Sequence, residues 1–296
     1  MLECVVNVAE GRDRAALRAI AAECGAALLD VHTDADHHRS VFTLAGPGDD
    51  DAIGAARNLA TAVEARVGVA GYDGVHPLLG AVDVVPFVGL DGTTAERAAA
   101  VRAAREFGAW WAEMHDVPVF LYDDADPSGR DLPRTRREAF TERAPDFGPS
   151  TPHPALGATA VGARRPLVAV NVWLATDDVG VARRIAASVR ERDGGLPGVR
   201  ALGLPLASRR LVQVSMNLVD LARTGIEAAV TAVRERAGRE PVDVASVELV
   251  GLVPRRELDR CSAGFREWAG LDGDMAVETR IGRGPRALPG EPDRAG

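Results

Sequence analysis

The chain has 296 residues, 46% of them apolar and 26% charged, with a net charge of −8. That balance describes a globular protein of about two domains at roughly 150 residues each, and its acidity argues against nucleic acid as a partner. No apolar run approaches the roughly 18 residues of a membrane span, and the start lacks a basic segment followed by an apolar one, so a cytoplasmic protein that does not bind membranes is expected. Cys4, Cys24 and Cys261 form no C-x-x-C pair, which argues against a disulfide framework or thiolate zinc. All 35 basic residues are arginine, which excludes a P-loop and Schiff-base lysine chemistry.

In chain order, residues 2–8 read as a strand, 12–24 as a helix, 27–31 and 39–45 as strands, and 50–65 as an alanine-rich helix. Glycines 71, 74 and 80 with Pro77 place His76 in a turn that feeds a strand at 81–88. Imidazole titrates near neutrality, so His76 is a candidate general acid or base; the alternative is a turn residue bonded to nearby backbone. A helix from Thr93-Thr94 to about residue 114 and a strand at 117–122 complete the order β-α-β-β-α-β-α-β. A mixed sheet with its helices on one face buries that order most simply.

Regular patterning stops over residues 143–166, where prolines alternate with glycines. Such a stretch is either a linker or a binding loop whose small residues leave backbone N–H groups accessible. Beyond it, 167–175 reads as a strand, Thr176-Asp177-Asp178 caps a helix to about 192, and 199–205 and 211–217 read as strands. A helix over 218–237, a strand over 245–253 and a last helix from Pro254 to about 269 follow. This second β-α-β-β-α-β order is ferredoxin-like, and the front half begins the same way. The expected fold is therefore α+β, with two ferredoxin-like mixed-sheet subdomains and outer helices, over residues 1–165 and 166–280, and a disordered tail over 281–296.

Alternation places Gln213, Ser215 and Asn217 on one strand face, which by itself reads as solvent-facing. The strand at 167–175 is apolar on both faces except Asn171, which shares a face with Trp173; a buried amide needs a partner, and a ligand between sheets would supply one. The segment from His32 to Arg39 holds half of the six histidines beside Asp34 and Asp36. It admits a metal site, and with it a metal-dependent hydrolase. The further motifs such a hydrolase requires are missing, so an exposed polar turn is the preferred reading and no metal is expected.

Taken together, these segments resemble the glutamate formiminotransferase family. The resemblance is carried by Glu3-Cys4-Val5-Val6-Asn7-Val8-Ala9-Glu10-Gly11, by Gly74-Val75-His76-Pro77 with Gly80-Ala81-Val82-Asp83-Val84, and by Asp116-Val117-Pro118-Val119-Phe120-Leu121-Tyr122. Gly157-Ala158-Thr159-Ala160-Val161-Gly162, Gln213-Val214-Ser215-Met216-Asn217-Leu218 and Leu249-Val250-Gly251-Leu252-Val253-Pro254 extend it to about residue 253. It implies two subdomains whose sheets face one another with folate between them, His76 as the catalytic histidine, and a folate loop made of Gly148, Pro149, Ser150, Thr151, Pro152, His153, Pro154, Ala155, Leu156 and Gly157. Asn7, His32, Asn171, Gln213, Ser215 and Asn217 are the further cleft candidates. The implied reaction moves a formimino group from N-formiminoglutamate to N5 of the co-substrate tetrahydrofolate and releases glutamate. A homodimer is also implied, and no fused cyclodeaminase is expected in this chain.

The chain departs from the family pattern at Ala9, His32, His37, His38, Leu78 and Leu156. Those positions bear on the donor. The alternatives are thus a related amidine or formyl donor, or folate binding without turnover.

Overall fold

A computed structural model describes residues 1–70, 72–73, 78–206 and 209–285. It divides into two compact units: residues 1–165 with 281–285, and residues 166–280.

In unit 1, β1 (Leu2–Val8), β2 (Leu28–Asp34), β3 (Arg39–Ala45), β4 (Val82–Gly89), β5 (Val119–Asp123) and β6 (Thr159–Arg164) form one sheet in the order β2-β3-β1-β4-β6-β5. β2, β3, β1 and β4 pair antiparallel, and β6 then runs parallel to both β4 and β5. One face packs against α1 (Arg14–Glu23), α2 (Asp49–Glu64) and α3 (Thr94–His115), where Leu2, Cys4, Val6 and Val8 of β1 meet Leu17, Leu59 and Phe107. Each such buried side chain contributes about 1.5–3 kcal/mol through removal from water. Thr93 caps α3 by accepting from the Glu96 N–H at 3.2 Å, while Glu96 returns a carboxylate oxygen to the Thr93 N–H. Trp111 of α3 donates its indole N–H to Thr159 Oγ1 at 3.0 Å, and that hydroxyl donates to the Val82 carbonyl at 2.8 Å, so one buried polar chain fixes α3, β6 and β4 together.

Two elements in this unit differ from the sequence expectation. The irregular stretch contains β6, a strand of small residues whose Gly162 lies against the Tyr122 ring, where a Cβ would come within 2.5 Å of ring carbons. In addition, α4 (Leu132–Glu138), capped by Asp131, sets Leu132 against Val84, Tyr122 and Ala160 on the face away from α1, α2 and α3. Helices therefore occupy both faces of this sheet.

Unit 2 follows the ferredoxin-like order in full. β7 (Val168–Leu174), β8 (Val199–Leu206), β9 (Leu211–Leu218) and β10 (Val244–Val250) form an antiparallel sheet in the order β10-β7-β9-β8. It is antiparallel throughout, not mixed. Val170, Val172, Val214 and Met216 bury one face with α5 (Val179–Val189) and α6 (Ile226–Arg239). Gly203 allows α5 to approach β8, because a Cβ there would lie 2.3 Å from the Arg183 nitrogen.

The helix expected from residue 218 starts at Ile226, since β9 runs to Leu218 and a turn follows. The last helix is broken into α7 (Arg255–Arg260) and α8 (Ala263–Ala269), with Ser262 capping the second. A short α9 (Val277–Arg280) closes the unit. Residues 286–296, most of the expected tail, lie outside the described residues. No described helix is long and apolar enough to cross a membrane.

Candidate active site

The turn predicted to carry the reacting imidazole is defined by its two shoulders, because His76 lies outside the described residues together with Gly71, Gly74, Val75 and Pro77. On the near side, Tyr72 donates its hydroxyl to the His37 carbonyl at 3.0 Å and stacks on the His38 ring at 5.3 Å between centroids. Asp73 pairs with Arg12 at 2.7 Å. On the far side, the Leu79 N–H donates to Asp83 Oδ1 at 2.8 Å.

Asp83 is a carboxylate 1% exposed at a bulge in β4, and its other oxygen meets Arg136 of α4 at 2.5 Å. Burial pushes this carboxyl up, against the pull of Arg136, the Leu79 N–H and Arg39. Sequence reading did not single out this pair. An acid within an apolar strand is the signal that could have found Asp83, whereas nothing marked Arg136, 53 positions away.

The same shoulders are joined to the predicted folate loop. The Val69 N–H donates to the Ala155 carbonyl at 2.9 Å, the Ala81 N–H to the Leu156 carbonyl at 2.9 Å, and the Ala158 N–H to the Leu79 carbonyl at 3.0 Å. Gly80 and Gly157 sit at this junction, and a Cβ on Gly157, whose φ is +72°, would stand 2.4 Å from the Leu79 oxygen. Both glycines are thus required by a close backbone approach.

Within the loop, His153 Nδ1 accepts from the Ala155 and Leu156 N–H groups at 3.3 and 3.0 Å. His153 and Gly157 also exchange backbone hydrogen bonds at 2.8 Å. Those N–H groups are consumed inside the loop, contrary to the expectation that its backbone donors are accessible. Leu156 turns into the core at 2% exposure; Ser150, Thr151, Pro152, Pro154 and Ala155 are exposed, and Pro149 and His153 half-buried. Gly148, with φ +83°, is held where a Cβ would meet the Val117 oxygen at 2.9 Å.

Residues 35–38 form the expected turn between β2 and β3, but most of it is not exposed. β2 continues through His32 to Asp34, and His37 is 7% exposed with its Nδ1 2.5 Å from Asp34 Oδ2. Burial pushes the Asp34 carboxyl up, but hydrogen bonds from His37 outweigh it and hold the group at about 2. His38 accepts the Gly11 N–H at its Nδ1, 3.1 Å away, which places any ring proton of the neutral form on Nε2. Among the described residues no group of three His, Cys, Asp or Glu side chains is placed to hold a metal ion. The cysteines are equally unsuited to nucleophilic work, since burial pushes the Cys24 thiol up to about 12 and raises Cys4 and Cys261.

Asn7 is half-buried on β1 and donates to the Val5 carbonyl at 3.2 Å. In unit 2, Asn171 already has a partner, because its Nδ2 donates to Glu248 Oε2 at 2.8 Å; the ligand invoked for it is not needed. Ser215 lies opposite Asn171, Gln213 opposite Trp173 and Asn217 opposite Ala169, so these polar positions share the face turned away from α5 and α6. Ser215 is half-buried, Asn217 exposed and Gln213 buried.

Comparison with known proteins covers both units. The family model for the formiminotransferase domain, N-terminal subdomain, matches residues 1–164, and that for the formiminotransferase domain matches residues 169–269. The chain is 36% identical to a glutamate formimidoyltransferase of Streptococcus pyogenes over 87% of this chain and 90% of that one. It is 36% identical to another of Thermoplasma acidophilum over 95% and 97%. A formimidoyltransferase-cyclodeaminase of Sus scrofa is also 36% identical, but this chain covers 52% of its length. The chain belongs to the formiminotransferase family.

Proposed function

We propose that this protein is a glutamate formimidoyltransferase: it moves the formimino group of N-formiminoglutamate to N5 of tetrahydrofolate and releases glutamate. Residues 1–165 and 166–280 serve as its two subdomains, its partners are these small molecules, and folate enters as a co-substrate. The observation that carries the reading is identity at 36% with glutamate formimidoyltransferases across 90% and 97% of their lengths, so both units are matched and not one alone.

His76 is assigned the proton transfers. A neutral imidazole takes the proton that the attacking folate amine loses and returns it to the departing glutamate nitrogen, a role worth about 10²–10⁴ in rate. What supports this assignment is the setting of the turn. The residues that flank it, Val69, Leu79 and Ala81, are joined to Ala155, Leu156 and Ala158 by three backbone hydrogen bonds of 2.9–3.0 Å, and Leu79 is joined to the buried Asp83 by a fourth of 2.8 Å. The loop is assigned to folate, with the hydroxyls of Ser150 and Thr151 at its exposed rim. Asn7, His32, Ser215 and Asn217 are assigned to the donor and to the remainder of the folate.

The test is glutamate release from N-formiminoglutamate by the metal-stripped protein. Release that requires tetrahydrofolate is expected. Release without folate would mean hydrolysis and would overturn the reading.

A further inference from the structure

On the face of the unit 2 sheet turned away from α5 and α6, two neighbouring rows treat their polar side chains differently. In one row Asn171 finds Glu248, 2.8 Å away. In the next, Trp173 of β7 stands directly opposite Gln213 of β9, and each leaves one buried polar atom unbonded. Among the described residues, Trp173 Nε1 and Gln213 Oε1 are both buried without a hydrogen-bond partner, and Gln213 is 1% exposed. Arg57, Arg130 and Glu257 also leave one buried atom unbonded, but each pairs through its remaining polar atoms. Trp173 differs from these three, since its indole N–H is its one polar side-chain group; the Thr43 hydroxyl of β3 is also unbonded, but it lies in unit 1 opposite Val5 and Asp30.

A buried donor and a buried acceptor left open on facing positions destabilise the free protein, and native proteins fill such places with a protein, water or ligand partner. The Arg209 guanidinium lies 4.3 Å from the centre of the Trp173 ring and holds the indole plane by cation–π contact. That contact sets a positive charge against the indole face. A group that accepts from Trp173 and donates to Gln213 needs an oxygen and an N–H side by side on one rigid edge.

We infer that Trp173 and Gln213 form a subsite for the lactam edge of a flat heterocycle, the pyrimidinone side of a pterin, with Trp173 Nε1 donating to the ring carbonyl and Gln213 Oε1 accepting from the adjacent ring N–H. The inference rests on the proposed folate reading and deepens it. The benzoylglutamate end of a folate offers no such ring-borne pair, so the subsite distinguishes the two ends of the ligand.

The experiment uses the full chain and the variants Trp173→Phe and Gln213→Met, each of which removes the polar atom and keeps most of the volume. Calorimetric titration with folinate and with p-aminobenzoylglutamate is combined with the melting temperature of the ligand-free protein. Each variant is expected to weaken folinate about 3- to 10-fold, the value of one ordinary hydrogen bond, and to leave p-aminobenzoylglutamate unchanged. The ligand-free melting temperature is expected to stay level or rise, because an unpaired buried group has been removed. A purely structural pair gives the reverse pattern, a lower melting temperature with folinate affinity intact.

Unchanged folinate affinity in both variants, beside binding by the unaltered protein, overturns this inference alone. An equal loss for p-aminobenzoylglutamate overturns the pterin assignment. No folinate binding by the unaltered protein overturns the folate reading and this inference with it.

Discussion

Unit 1 and unit 2 both begin with the order β-α-β-β-α-β, and both set the resulting strands fourth, first, third, second: β4-β1-β3-β2 in one and β10-β7-β9-β8 in the other. Unit 2 stops there, whereas unit 1 continues through α3 into β5 and β6, which run parallel to each other beside β4. That extension brings the loop from Gly148 to Gly157 against the turn before β4 and places Arg136 under Asp83. A shared strand plan thus becomes a candidate reaction site in one copy through added elements. In the other copy the free face keeps the plan and varies only its side chains.

This contrast predicts that damage to the extension acts on turnover or on unit 1 while the strands of unit 2 are unaffected. The largest effect is expected for His76→Ala, which should lower kcat about 10²–10⁴-fold with folinate affinity nearly unchanged. Near-normal turnover in that variant would remove His76 from the chemistry.

Asp83→Ala removes the buried carboxylate that bonds both Arg136 and the Leu79 N–H, at a cost of about 1–3 kcal/mol. Amide exchange should then quicken across residues 78–89 and 132–138 but not across 168–174 and 211–218. Asp83→Asn, which retains an acceptor for the Leu79 N–H, should recover part of the loss. Uniform quickening in both units would contradict the separation.

Gly157→Ala forces a Cβ toward the Leu79 oxygen at a φ of +72°, a strain on the order of 1–3 kcal/mol. Its signature should be a raised KM for folate with the fold intact, read from steady-state kinetics beside a circular dichroism melt.

Acid gives the smallest effect. Asp34 sits at about 2 in the folded protein against 3.8 unpaired. A depressed acid contributes stability above the unfolded value and loses it as pH falls through the folded one, so about 1–2 kcal/mol should vanish between roughly pH 4 and pH 2. Asp34→Asn should flatten that part of the stability curve.

The residues that fold by one-dimensional periodicity were legible. β1 (Leu2–Val8) and β3 (Arg39–Ala45) lie where the alternation places them, and α3 begins one residue after the Thr93 cap. β6 was not legible, because Thr-Ala-Val-Gly-Ala-Arg has little apolar signal of its own and is a strand by virtue of two parallel neighbours. α4 was hidden by Pro133, which at a first turn starts a helix but reads as a breaker in isolation.

The site shows the same division. The turn that the glycines imply around His76 lies mostly outside the described residues, and the hydrogen bonds joining its flanks at residues 69, 79 and 81 to residues 155–158 run between segments some 80 positions apart and leave no local trace. Polarity on β7 and β9 pointed to the face of unit 2 turned away from α5 and α6. It also pointed to the wrong amide, since Asn171 is satisfied by Glu248 while Gln213 is not.

The central claim is transfer of the formimino group to folate rather than its loss to water. The most direct measurement follows glutamate and 5-formiminotetrahydrofolate together in one reaction of N-formiminoglutamate with tetrahydrofolate. The account predicts that the two appear in equal amounts and that both are lost in His76→Ala. Glutamate formed in excess of the folate product, or formed equally well by the variant, would contradict it.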